Sequence, residues 1–306
     1  MAVQGDDEGV NPRALGLLAL AQLAIGAAAI FARFALAGGG AISASAFRLA
    51  IGALPVVAVA IARRAYVRRD ARTERRLAVA GIMLAAHFAL WISSLRFASI
   101  AVSTLLVCST PIWTELWDVV RLRRFRADVA LSLVLGLAGV AIVIGAPARG
   151  DHPLGIVLAL GGALAIAVYL ILVRDADPRY DTLAIVGRTY PVAALVLVCA
   201  MLLVHDPIPA PSDLSAWGGI VAMALVSQLF GHTALNAAVR QLSPTFVATV
   251  TLIEPVIAGI LAALIFGERL TLATLAGSAV IFAAIAIAVR AESRLRAPHT
   301  IVSENG

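Results

Sequence analysis

Apolar stretches of about twenty residues recur along this chain, separated by short polar loops, and that recurrence limits the fold before any motif is read. Inside a bilayer every backbone N–H and C=O must find a partner within the protein, so such stretches fold as helices. Ten spans are expected, at residues 14–34, 42–61, 77–95, 101–120, 130–146, 154–173, 183–204, 216–239, 245–266 and 272–289. A hydrophobic content of 61% and a mean hydropathy of +0.96 exclude an ordinary soluble domain. The expected class is an all-α membrane protein. The first span follows Asp6, Asp7 and Glu8 without a clear cleavage signal, so it reads as a retained helix and not a removed signal peptide.

Charge sets the expected orientation. The net charge is +6, and every basic side chain other than histidine is arginine. The arginines cluster beside spans, which points to a membrane surface and not to nucleic acid. The loop after span two holds Arg63, Arg64, Arg68, Arg69, Arg72, Arg75 and Arg76, the loop after span four holds Arg121, Arg123, Arg124 and Arg126, and the end of the chain holds Arg290, Arg294 and Arg296. Ten spans put all three on one side, and the positive-inside rule makes that side the cytoplasm. The loop at 205–215 lacks arginine and carries Asp206 and Asp213, which suits the outside. Both termini, residues 1–13 and 291–306, are expected as short cytoplasmic tails.

An internal repeat is legible. SLRFASIAVSTLLVCSTPIW and AVRQLSPTFVATVTLIEPVI align so that Arg96 falls on Arg240, Ser99 on Ser243 and Pro111 on Pro255. Upstream, FRLAIGALPVV laid on GRTYPVAALVLV brings Arg48 onto Arg188. Each half, 14–146 and 154–290, then holds five spans. An odd number inverts the second half, the plan of many secondary transporters.

The polar groups inside spans carry the chemistry. Glu254 and Pro255 lie near the middle of span nine. An acid at membrane depth costs a few kcal/mol and calls for a task or a partner. Proline removes one helical hydrogen bond, so Pro111 and Pro255 read as paired helix interruptions. Glu254 is the first candidate for binding a proton or a cationic substrate group; the alternative is a protonated Glu hydrogen-bonded between helices. His87 and Trp91 are four residues apart and share a helix face, offering a proton-carrying ring and an aromatic wall, or simple packing. Arg48 and Arg188 are expected near opposite mouths of a cavity, to bind a carboxylate or pair with an acid, with snorkelling to the headgroups as the alternative. Gln228, His232 and Asn236 are spaced as one polar stripe that must face protein or water and is expected to line the cavity, and Gln22 adds a polar candidate in span one. Tyr169 is expected to pack, and Glu268 with Arg269 to form an interface pair. Cys108 and Cys199 are expected as small buried residues, without a disulfide. No metal-ligand spacing, phosphate loop or nucleotide fingerprint occurs, so neither a cofactor nor a metal is expected.

AAHFALWISSLRFASIAVSTLLVCSTPIW and LIEPVIAGILAALIFGERLT resemble the two repeat cores of the drug/metabolite transporter superfamily, EamA type, and Phe47-Arg48-Leu49 fits the same pattern. The Glu254-Pro255 pair followed by Gly267-Glu268-Arg269 is the most specific part. The resemblance implies ten transmembrane helices in two inverted five-helix repeats, an inner-membrane location with both termini cytoplasmic, and a central cavity. It also implies export or exchange of small metabolites, amino acids or drugs, often ion-coupled. The first half departs from the pattern: a basic run at Arg123 and Arg124 replaces the Gly-Glu-Arg ending, and Glu115 and Asp118 stand where apolar residues are usual. Asp118 is expected beside Arg121, and Glu115 is left open.

The expected function is therefore a secondary transporter, not an enzyme, whose partners are a small-molecule substrate, the lipid bilayer and protons as coupling ion. Export is the leading direction; uptake or exchange is the rival within transport. A non-transporting scaffold or sensor is the rival from another class, and a lipid-modifying enzyme lacks the clustered acids or histidines it would need. Substrate identity and oligomeric state are not legible.

Overall fold

A computed structural model describes residues 11–66, 70–98, 100–123, 125–144, 152–266 and 272–296. Ser99, Glu268 and Arg269 lie outside them. The chain opens with α1 (Pro12–Gly26) and α2 (Ala28–Gly38), which together make one span broken at Ala27. There follow α3 (Ala41–Ala62), α4 (Ala71–Ser94), α5 (Ile100–Val107), α6 (Thr110–Leu122) and α7 (Ala127–Ile144). The second half holds α8 (Pro153–Arg174), α9 (Thr182–Leu203), α10 (Leu214–Ala222), a π-helical stretch (Met223–His232) and α11 (Thr233–Val239). It closes with α12 (Pro244–Val250), a 3-10 turn (Thr251–Ile253), α13 (Glu254–Phe266) and α14 (Leu272–Arg296).

The described residues form an all-helical bundle. Among them, eight spans are long and apolar enough to cross a membrane, and the apolar α7 is shorter. The expected span at 101–120 is present as two pieces, α5 and α6, divided at Cys108 and Ser109. Helix starts follow the capping residues: Asp70, Asp181, Asp213 and Ser243 each accept from an amide two or three residues on, satisfying donors that a helix N-terminus leaves free.

The helices pack in a recurring pattern. α3 lies on α9, α7 on α14, α4 on α8, and the α1–α2 span on the α10–π–α11 span. Small residues set these approaches: a Cβ at Gly139 would fall 2.9 Å from the Gly277 carbonyl, so α7 and α14 come that close only with glycine there. The largest core cluster joins α1, α3, α4, α8, α9 and α12 around Leu49, Phe88, Tyr169, Tyr190 and Val247. Cys199 is exposed on α9, not buried as expected; it faces outward from the bundle, where an apolar thiol is compatible with lipid. Cys108 is buried, and both thiols are free.

Candidate functional site

Both interrupted spans break at the same place relative to their proline. Pro255 has no N–H to give the Thr251 carbonyl, four residues back, and its ring crowds that carbonyl. The chain answers with the 3-10 turn Thr251–Ile253, in which the Glu254 amide bonds Thr251 O instead. Pro111 deprives Val107 of the equivalent bond, and α5 ends at Val107. Here the Thr110 hydroxyl donates to Val107 O at 2.8 Å and the Ser109 hydroxyl to Leu106 O at 2.5 Å. The two breaks expose short lengths of backbone, tolerated at membrane depth only where protein or a cavity surrounds them.

A cavity of about 60 Å3 lies between them. α5, α6 and their junction supply Val107, Cys108 and Thr110; α12, the 3-10 turn and α13 supply Ala248, Thr251 and Glu254. α4 adds His87, Phe88 and Trp91, the π stretch and α11 add His232 and Leu235, and α8 adds Ile166 and Leu170. Ile25, Ala28 and Arg48 complete it. The alignment that lays Arg96 on Arg240 also lays Val107 on Thr251, Thr110 on Glu254, Phe88 on His232 and Trp91 on Leu235. All eight residues line this one cavity.

Arg48 is 0% exposed, held by α3 against the cavity. Its Nε donates to Gln228 Oε1 at 3.2 Å, and its guanidinium sits 4.0 Å from the centroid of the Phe88 ring, a cation–π contact. Nη1 and Nη2 have no hydrogen-bond partner. Gln228 Nε2 and His232 Nδ1 are likewise buried and unpartnered. The His87 Nδ1–H donates to the Gly162 carbonyl at 2.9 Å. α8 runs close to the backbone of His87 and Trp91 at Gly162. The rings of His87 and Trp91 are parallel, 6.0 Å apart and 11° from coplanar, and Phe88 meets His232 edge-on at 5.2 Å.

The structure thus brings Glu254, His87, Trp91, Arg48 and His232 to one cavity, with Gln228 behind Arg48. It separates the others. Asn236 is committed elsewhere: Tyr169 donates to its Oδ1 at 2.7 Å, and its Nδ2 donates to His232 O at 2.7 Å. The expected stripe parts there: Gln228 and His232 sit in the π-helical stretch, whereas Asn236 lies in α11 with its side chain turned to Tyr169. Gln22 is buried with no partner but does not line the cavity.

Arg188 is not at a cavity mouth. Its Nε pairs with Glu74 Oε2 at 2.9 Å and Oε1 at 3.0 Å, and Nη1 donates to the carbonyls of Ala65 and Ala184. Tyr66 and Tyr180 place their rings 5.3 and 5.0 Å from the guanidinium, and Tyr180 also donates to Glu74 at 2.9 Å. This latch ties α4 to α9 at the arginine-rich end. Nearby, the Thr73 amide holds the Asp70 carboxyl below the usual carboxylate range. At the opposite end the Gly38–Gly40 turn is closed by Asp206, which accepts from the Ser43 amide at 2.8 Å, and by Arg96, which donates to Gly39 O at 2.8 Å. Asp118 accepts from Thr245 at 3.4 Å, while Arg121, its expected neighbour, pairs with Asp175 at 2.6 Å. Glu115 is buried, and its Oε1 is unpartnered.

Comparison with known proteins gives three findings. The model of the EamA-like transporter family matches residues 12–145 and again 153–290. A protein of Archaeoglobus fulgidus described as an uncharacterized transporter is 24% identical over 273 residues, spanning 89% of this chain and 95% of that one. A crystal structure superposes with a TM-score of 0.77 at 20% identity, over 93% of this chain and 99% of the other, a likeness of fold.

Proposed function

The chain belongs to the EamA-like transporter family, and from that premise we propose that it is an inner-membrane secondary transporter exporting small metabolites, amino acids or drugs by alternating access, with protons as the coupling ion. The observation that carries this reading is the cavity between the two proline-broken spans, with Glu254 and Arg48 in its wall. Broken helices that meet at mid-membrane are where carriers of the inverted-repeat plan hold substrate and coupling ion. Glu254 is the proton-exchanging group, and Pro111 and Pro255 supply the flexible points.

Several features support ten spans in two inverted five-helix repeats, residues 14–146 and 154–290. Helix pairings such as α3 with α9 and α7 with α14 are those that a two-fold exchange of halves maps onto themselves. The same exchange maps α4 on α8 onto the α10–π–α11 span on α1–α2. The arginine-rich loops support a cytoplasmic side for both termini.

The test is flux in proteoliposomes. Purified protein meets labelled amino acids and cationic drugs, with and without a pH gradient, beside Glu254→Gln. The expected result is gradient-driven flux of at least one compound, with the gradient response lost in the variant. Flux that keeps its full response in Glu254→Gln removes this residue from the coupling.

A further inference from the structure

Arg48 presents an unusual balance. Burying a guanidinium is costly unless its donors are met, yet two nitrogens of this cavity-lining residue are buried without a partner. Glu254 lines the same cavity, and no hydrogen bond or ion pair joins the two. The nearby nitrogens Gln228 Nε2 and His232 Nδ1 are also unpartnered. Nη1 and Nη2 of one guanidinium form a planar fork that matches the two oxygens of a carboxylate. Phe88 stacks under this fork and Gln228 fixes its Nε, so the fork is oriented before any ligand arrives. The matching position in the other half, Arg188, has its own fixed acid in Glu74. Of the two, Arg48 lines the cavity and keeps unpartnered donors.

We propose that Arg48 is a specificity-determining residue that reads a carboxylate on the transported solute, with Nη1 and Nη2 donating to its two oxygens. This rests on the transporter reading and narrows its substrate class to small amphipathic carboxylic acids. The solute's apolar body lies against Trp91, Ile166 and Leu170, and a donor group such as an ammonium is directed to Glu254. A zwitterionic amino acid uses both charged ends.

The experiment is ligand-induced thermal stabilisation of the purified full chain, titrated with two matched sets. One is L-leucine, L-leucinamide, 4-methylpentanoate and 3-methylbutylamine; the other is L-alanine, L-alaninamide, propanoate and ethylamine. In each set the carboxylate-bearing compounds are expected to bind at least about tenfold more tightly than the amide or amine, because the amide cannot accept two charge-assisted bonds. Arg48→Lys keeps the charge but not the fork, and is expected to erase that preference while leaving amine binding within about twofold. The wild-type comparison stands even where the variant does not fold. Amides or amines that bind as tightly as acids, or the failure of every carboxylate to bind, overturn the proposal. Flux assays separate the two readings: transport of cationic drugs with no acid preference sinks only the carboxylate site, whereas acid-selective binding without flux of any compound sinks the transporter reading and leaves the site standing.

Discussion

Replacing Pro255 with alanine is expected to repair a helix and damage a carrier. The substitution restores an N–H able to bond Thr251 O and removes the ring that crowds it, so the 3-10 turn can relax to α-helix. A 3-10 residue rises about 0.5 Å more and turns about 20° further than an α-helical one. Over the three residues Thr251–Ile253 that amounts to about 1.5 Å and about 60° between α12 and α13. Ala248 and Thr251 would then move by that amount relative to Glu254, across a cavity that all three line. A misplacement near 1 Å is enough to cost about a hundredfold in a positioned reaction, so transport is expected to fall about ten- to a hundredfold. Stability is expected to rise by about 1 kcal/mol, the net worth of one added hydrogen bond. Pro111→Ala gives an internal comparison: the Thr110 hydroxyl already bonds Val107 O, so its gain is expected to be smaller. The assay pairs thermal unfolding in detergent with proteoliposome flux for both variants. Wild-type flux from a Pro255→Ala protein of unchanged stability would refute the argument that the proline maintains the turn and the turn positions the cavity.

Further outcomes follow from the latch and the cap. In a double-mutant cycle, Glu74→Ala and Arg188→Ala are expected to couple by about 2 kcal/mol in unfolding stability, since the Nε–H is shared by both carboxylate oxygens in a charge-assisted bond and the arginine side chain is only 9% exposed; purely additive losses would show the pair to be idle. Asp70→Ala is expected to lower the melting temperature near neutral pH and to remove part of its acid dependence, read from melting curves across about pH 3 to 6. The sign follows from a folded carboxyl held below its ordinary value: the cap's stabilisation is complete above about pH 3.9 and is lost as pH falls through the lower, folded value.

Much of the fold could be read from the chain because bilayer helices leave a strong apolar signal. The proline breaks were legible for the same kind of reason: Pro111 and Pro255 each remove a bond at a fixed distance, and the chain parts at Val107 and Thr251 as that distance requires. Glu254, His87, Trp91 and His232 stood out as polar or aromatic groups in apolar spans, and all four line one cavity. Other parts depend on long-range contacts that no local pattern encodes. Arg48 and Arg188 align in sequence, but their surroundings differ: Arg188 meets Glu74, Tyr66 and Tyr180, whereas Arg48 meets Phe88 and Gln228, and both sets are a matter of packing. The π stretch at Met223–His232 carries no proline or other evident marker, and the spacing of Gln228, His232 and Asn236 suggested a stripe that Asn236, turned to Tyr169, does not keep. The neutral cavity residues Thr110, Ile25 and Leu170 were missed; the repeat alignment could have flagged Thr110 as the partner of Glu254.

The contrast between the two aligned arginines also has an electrical side. Arg188 travels with Glu74, so that pair adds no net charge wherever it moves. Arg48 has no acid hydrogen-bonded to it, and a charge carried across the whole membrane field feels about 2.3 kcal/mol per 100 mV. A carrier that seats a simple carboxylate, one without an ammonium of its own, on Arg48 would neutralise that charge when loaded and restore it when empty. Membrane voltage then acts chiefly on the return of the unloaded protein, which makes the resting potential, and not the solute gradient alone, a determinant of how fast the cycle turns.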